Sequence, residues 1–263
     1  MTRADLRRVR LASGIELEYA ECGAGPAIVL VHGYGDSWFS FSDLLRRLPG
    51  DRRALAPTLR GHGDCDRPAS GYRILDFAAD VLAFMDAAGV ERAAVVGHSM
   101  GSLVAQEVAL ARPDRVSHLV LEGSATALEH PAALELARSI RALRDPIPRE
   151  FVVEFQASAV HRPVPEDFVR ALVDEGLKMP ARVWHAAFDG ILAHRPGDRL
   201  RALTMPTLVV WGDRDEICPR VEQDRLLAGI PGARLLVYEG TGHSPHWEEP
   251  DRFVADLLAF LDT

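Results

Sequence analysis

The chain has 263 residues, of which 48% are hydrophobic and 26% charged, the balance of a folded globule rather than of a disordered chain. Its formal net charge of −8 offers no positive field for phosphates, so nucleic acid is not an expected partner; no apolar run approaches the ~18 residues needed to span a membrane, so a membrane is not one either. Cys22, Cys65 and Cys218 are far apart, odd in number and outside any CxxC spacing, which argues against a disulfide framework or a cysteine zinc site.

The segment Met1 to Asp5 is polar and is not followed by a charged-then-apolar targeting pattern, so a cytoplasmic setting is expected. Val9–Leu11 and Ile15–Tyr19 flank Ser13-Gly14 and predict a hairpin. Short buried strands follow at Ala27–Val31, Arg53–Ala56, Ala93–Val96, His118–Leu121, Thr207–Trp211 and Arg234–Tyr238. Continuous apolar runs of this kind suit a parallel sheet covered on both faces. Between them, Phe77, Val81, Phe84, Met85 and Ala88 share one helical face, and Gly89 ends that helix. Phe253, Leu257, Phe260 and Leu261 repeat the spacing near the C-terminus. Strands alternating with helices predict an α/β fold with a mostly parallel, doubly covered sheet.

Residues 125–203 differ. They carry no convincing strand run and contain Pro131, Pro146, Pro148, Pro163, Pro165, Pro180 and Pro196. The reading is a core of residues 1–124 and 204–263 interrupted by a helical lid, with extra packing as the plainer alternative.

Gly97-His98-Ser99-Met100-Gly101 is a G-x-S-x-G that directly follows a strand and opens a helical pattern, in which Met100, Leu103, Val104, Val108 and Ala111 share a face. That setting is what a nucleophile elbow requires: a sharp turn holds the serine outward, and the helix N-terminus beside it favours negative charge. A serine hydroxyl needs a base, and His243 is the strongest of the ten histidines because it lies in a glycine-rich loop late in the chain. The plainer readings are a tight turn that happens to hold a serine, and a surface-loop histidine. His243 and His246 form an HxxH pair, but no third ligand shows helical spacing, so no metal is expected. His98, beside Ser99, is expected to bond locally, and His32 and His62 to support loops. His185 and His194 are expected to sit on helix faces.

Five motifs stand in order: His32-Gly33-Tyr34-Gly35, Leu59-Arg60-Gly61-His62-Gly63, Gly97–Gly101, Trp211-Gly212-Asp213-Arg214-Asp215 and Gly240-Thr241-Gly242-His243-Ser244-Pro245. Together they resemble the α/β-hydrolase superfamily over almost the whole chain, although Thr58 stands where such proteins usually carry an Asp. The resemblance implies a triad of Ser99, Asp215 and His243, an oxyanion hole from the backbone N–H groups of Tyr34 and Met100, and no cofactor. Glu122, which ends the preceding strand, competes with Asp215 for the acid, and the preference for Asp215 rests on the resemblance.

The activity implied is hydrolysis of a carboxylic ester or lactone of a small apolar substrate by a monomer or homodimer, with Trp184 and Phe188 among the lid aromatics that bind substrate. Alternatives are hydrolysis of a carbon–carbon bond in a β-diketone-like substrate, cofactor-free perhydrolysis, or a non-catalytic ligand-binding role. Dehalogenases and epoxide hydrolases of the usual kind place Asp at the nucleophile, where this chain has Ser99.

Overall fold

The computed structural model describes residues 4–263; residues 1–3, which begin the polar segment Met1–Asp5, lie outside the described residues. In chain order the elements are β1 (Asp5–Arg10), β2 (Glu16–Cys22), β3 (Ala27–Val31), α1 (Ser42–Arg47), β4 (Arg53–Pro57), α2 (Ile74–Ala87), β5 (Ala93–His98) and α3 (Met100–Ala111). They continue with β6 (Val116–Glu122), α4 (Pro131–Ala142), α5 (Arg149–Ala157), α6 (Glu166–Leu177) and α7 (Ala181–Ala193). The chain closes with β7 (Thr207–Gly212), α8 (Arg220–Gly229), β8 (Arg234–Tyr238), α9 (Pro245–Glu248) and α10 (Pro250–Leu261).

The strands form one sheet in the order β1-β2-β4-β3-β5-β6-β7-β8. β1 and β2 pair antiparallel, β2 meets β4 antiparallel, and every later pairing is parallel. The expected hairpin is present, with Val9 opposite Leu17 and Gly14 in the left-handed region at φ 85°. Its first strand starts at Asp5 rather than Val9. The added residues are all exposed and, apart from Leu6, charged, so ladder hydrogen bonding rather than apolar patterning places them.

The apolar runs are continuous because both faces of the sheet are covered. Val29, Val31, Val95, Leu119, Leu121 and Val209 pack on the side of α2 and α3. Their chain neighbours Ile28, Leu30, Val96, Val120, Leu208 and Val210 pack on the other side, with α1 and α10. Period-two alternation sends successive side chains to opposite cores, both of them apolar.

Between β6 and β7 the chain forms α4 to α7 and no strand. Helix α8 has no apolar stripe to announce it. It buries Glu222 and Gln223 beside Leu226, and polar bonds anchor it: Glu222 Oε2 accepts from Thr126 N at 2.9 Å and Gln223 Nε2 donates to Ser124 O at 2.9 Å.

Candidate active site

The C-terminal ends of the parallel strands bring the sequence-predicted residues together. Ser99 sits between β5 and α3 at φ 53° and ψ −120°, the single non-glycine residue with positive φ among the described residues. Such a conformation costs about 1–3 kcal/mol and persists only where its surroundings hold it. Here Ser99 N–H donates to Glu122 O at 2.9 Å, and Ser102 N–H donates to Ser99 O at 2.8 Å. Gly101 makes the turn possible: a Cβ there would lie 2.0 Å from the carbonyl oxygen of Val31, so α3 could not start this close to β3 with any other residue.

Asp215 lies in the loop after β7 and is almost fully buried. Its Oδ1 accepts from Ile217 N and Cys218 N, both at 2.8 Å, which fixes the carboxylate. Its Oδ2 is 2.8 Å from Nδ1 of His243, from the loop after β8. Nε2 of His243 is buried and unpaired, and His243 and Ser99 line the same cavity. Burial pulls the His243 pKa down, but the charge and hydrogen bond of Asp215, with Glu122 and Asp36 behind them, outweigh it and raise the pKa above 6.5. Asp213, two residues before Asp215, accepts from Gly240 N at 2.6 Å and is a loop-joining residue.

Glu122 is fully buried at the end of β6 and belongs to another histidine. Its Oε1 lies 2.9 Å from His246 N and 2.8 Å from His246 Nδ1. Burial pushes Glu122 up to about 7 and His246 down to about 3. The HxxH pair is therefore split, with His243 on Asp215 and His246 on Glu122. Cys218 brings its sulfur to the Asp215–His243 pair, the three donor atoms lying within 4.8 Å of one another. Its place beside Asp215 had no signal in the sequence.

The other histidines divide as their surroundings dictate. In His32, Nδ1 lies 2.7 Å from Gly33 O and Nε2 accepts from Leu59 N at 2.9 Å, which ties two loops together and keeps the ring neutral. His62 bonds the Arg60 carbonyl at 3.0 Å. His98 turns away from Ser99, its Nε2 lying 3.3 Å from His243 O and 3.2 Å from Ser244 Oγ. His185 and His194 do not line the cavity; His130 does.

Tyr34 and Met100 both border the cavity. Met100 opens α3, so its N–H has no partner within the helix. The Tyr34 hydroxyl donates to Trp184 O at 2.5 Å, which leaves only its backbone for an anion. The cavity measures about 320 Å³ and its wall is mostly apolar, with Leu103, Leu128, Leu136, Phe155, Phe188 and Ile191 contributing. Of the two lid aromatics expected to bind substrate, Phe188 lines this cavity. Trp184 does not: it is fully buried behind the wall, its ring 4.9 Å from Tyr34 and 5.4 Å from Phe155. One helical turn separates the two residues on α7, and Tyr34 stands between Trp184 and the cavity.

Two residues on the wall escaped the sequence reading, Asp36 and Gln156. Gln156 Nε2 donates to Asp36 Oδ1 at 3.1 Å across 120 residues of chain, which no local pattern could show. Burial pushes the Asp36 carboxyl up to about 7 against the opposing Gln156 amide, His243 charge and Gly33 backbone. Among the described residues, no lysine or arginine lines the cavity, while Asp36 and Glu216 do.

Comparison with known proteins agrees with this architecture. The model of the alpha/beta hydrolase family matches residues 28–257. A 2-hydroxy-6-oxononadienedioate/2-hydroxy-6-oxononatrienedioate hydrolase from Pseudomonas putida is 31% identical over 94% of this chain and 92% of its own. An esterase from Rhodococcus sp. ECU1013 is 29% identical, with a TM-score of 0.85 over 98% of each chain. An esterase from Exiguobacterium antarcticum, 21% identical, has a TM-score of 0.89 over 97% of this chain and 99% of its own, and shows likeness of fold.

Proposed function

The chain belongs to the alpha/beta hydrolase family, and from that premise we propose that it is a serine hydrolase cleaving a carboxylic ester or lactone of a small, largely apolar substrate. The observation that carries this reading is the convergence of a strained Ser99 and an Asp215-held His243 on one apolar cavity.

In the proposed mechanism Ser99 Oγ attacks the carbonyl carbon while Nε2 of His243 takes its proton. Asp215 holds the imidazole in the tautomer that bears its proton on Nδ1 and stabilises the cation that forms. The N–H groups of Met100 and Tyr34 receive the oxyanion, which needs donors already in place. As the tetrahedral species collapses, His243 gives its proton to the leaving alcohol. Water, deprotonated by His243, then hydrolyses the acyl-enzyme. Residues 125–203 act as a lid over this centre, supplying Phe155, Phe188 and Ile191 to the wall.

A second reading follows from the dienedioate hydrolase relative, whose substrate carries two carboxylates by name. Binding a dianion in a buried cavity requires paired cations, because an unpaired charge there costs several kcal/mol or more. The wall offers Asp36 and Glu216 instead, which favours an uncharged ester.

The test is release of p-nitrophenol from short acyl esters by wild type and Ser99→Ala side by side. Turnover in the wild type, lost in the variant, supports the reading. Silence of the wild type toward every ester in the series overturns it.

A further inference from the structure

Asp36 lies two residues after Tyr34 and is 3% exposed, yet it lines the cavity together with Gly33 and His98. Its Oδ1 is held by Gln156 of α5. Its Oδ2 lies 4.0 Å from Nδ1 of His98, too far for a direct hydrogen bond. Nδ1 of His98 is itself buried and has no partner. Because Nε2 of His98 faces the carbonyl oxygen of His243, the ring proton belongs on Nε2, and Nδ1 presents a lone pair. Two acceptors therefore face each other without a hydrogen bond joining them, and that of His98 has no donor.

Gly33 lets both acceptors approach the backbone this closely. A Cβ at that position would lie 2.9 Å from Asp36 Oδ2 and 2.9 Å from His98 Nδ1. A donor atom at normal hydrogen-bond length from both acceptors would sit about 2 Å off the line joining them. On the cavity side, which Gly33, Asp36 and His98 all line, an N–H or O–H group would satisfy both acceptors, whereas a carboxylate would bring a third set of acceptors.

We propose that Asp36 and His98 form a subsite for a hydrogen-bond donor on the acyl part of the substrate, a hydroxyl or a protonated amine, and that Asp36 is the residue that selects for it. The proposal rests on the ester-hydrolase reading above. It adds to that reading one polar anchor in an apolar wall, and it makes the cavity reject acyl groups that end in a carboxylate. A buried site built to bond a donor discriminates strongly against an analogue that lacks one, since its acceptors are then left unpaired.

The experiment compares kcat/KM for p-nitrophenyl esters of butanoic acid, 3-hydroxybutanoic acid and 3-aminopropanoic acid and for the hemiester of glutaric acid. It uses wild type and Asp36→Asn at about pH 8, above the value of about 7 to which burial pushes Asp36. The wild type is expected to favour the hydroxy or the amino ester over butanoate by at least about tenfold, mainly through KM, and to cleave the hemiglutarate slowest. Preference for the hydroxy ester identifies a hydroxyl, and preference for the amino ester an ammonium. Asp36→Asn replaces an acceptor by an amide N–H, so the preference should vanish and the hemiglutarate should gain at least about tenfold relative to butanoate.

Wild-type turnover of butanoate with no preference for either donor ester overturns the subsite and leaves the hydrolase reading standing. Identical ester ratios in wild type and a folded Asp36→Asn remove Asp36 from specificity. Silence toward all four esters overturns the hydrolase reading and the subsite with it. The wild-type ranking decides even where the variant does not fold.

Discussion

Asp215 and His243 meet at 2.8 Å although 28 residues separate them, while Glu122, at the end of the neighbouring strand, bonds His246 instead. The two carboxylates share one corner of the fold but have different partners. Under the proposed mechanism Asp215→Asn should lower kcat by about 10⁴-fold, because the amide no longer holds the productive imidazole tautomer. Glu122→Gln keeps an oxygen for the backbone N–H of His246 and should cost less than about tenfold. Steady-state rates of both variants on one p-nitrophenyl ester measure the contrast. A crippled Glu122→Gln beside an active Asp215→Asn would move the acid to Glu122.

The pH profile follows from His243. Burial alone would lower its pKa, but Asp215 and the carboxyls behind it raise it above 6.5. A base must be neutral to accept a proton, so a raised pKa moves the acid limb of kcat/KM to higher pH. Half-maximal kcat/KM is therefore expected above pH 6.5 in the wild type, and lower in Asp215→Asn wherever residual activity is measurable. A flat profile from about pH 5 to about 8 would contradict a histidine base.

Gly123 packs against the face of His243. It has φ 52°, and a Cβ there would lie 2.8 Å from His243 Cε1 and 2.9 Å from Nδ1. Gly123→Ala should displace the imidazole and lower kcat by about 10²-fold, the usual effect of a misplacement near 1 Å. The strained φ adds a stability loss of about 1–3 kcal/mol. Rates together with urea denaturation separate the two effects, and an unchanged kcat would show that the ring does not depend on this contact.

Glu122 also marks stability. Burial raises its carboxyl from 4.5 to about 7, so the folded chain holds that proton over a range where the unfolded chain has released it. The contribution is full below 4.5 and is lost as pH rises toward about 7. Each pH unit of that window is worth ~1.4 kcal/mol. Glu122→Gln removes the titration, so relative to wild type it should gain up to ~3 kcal/mol between about pH 4.5 and about pH 7. Urea denaturation across that range measures the difference; a constant difference would show that Glu122 titrates normally.

How much of this was legible depended on whether the information was local. The turn at Gly97–Gly101 announces itself, because glycines flank a serine at a point where a strand stops and a helical pattern begins. The His243 loop is marked in the same way by Gly240 and Gly242. The choice between Asp215 and Glu122 was not local. Both follow or end adjacent strands of the sheet, and only the loop that Ile217 N and Cys218 N bond to Asp215 Oδ1 aims that residue at His243. Trp184 and Phe188 are equally apolar and share α7, so their opposite fates depend on where Tyr34 stands. Asp36 and Gln156 are joined only by the fold, and α8 is held by buried Glu222 and Gln223, for which apolar periodicity has no signal.

The central claim is that Ser99 is the nucleophile that His243 activates. The most direct measurement is labelling with a fluorophosphonate, followed by mass spectrometry of the proteolysed chain. The account predicts one phosphonyl group per chain, on the peptide carrying Ser99, with loss of ester turnover in step with labelling and slower labelling in His243→Ala. Full ester turnover in a chain already labelled at Ser99, or labelling that leaves Ser99 free while activity disappears, would contradict it.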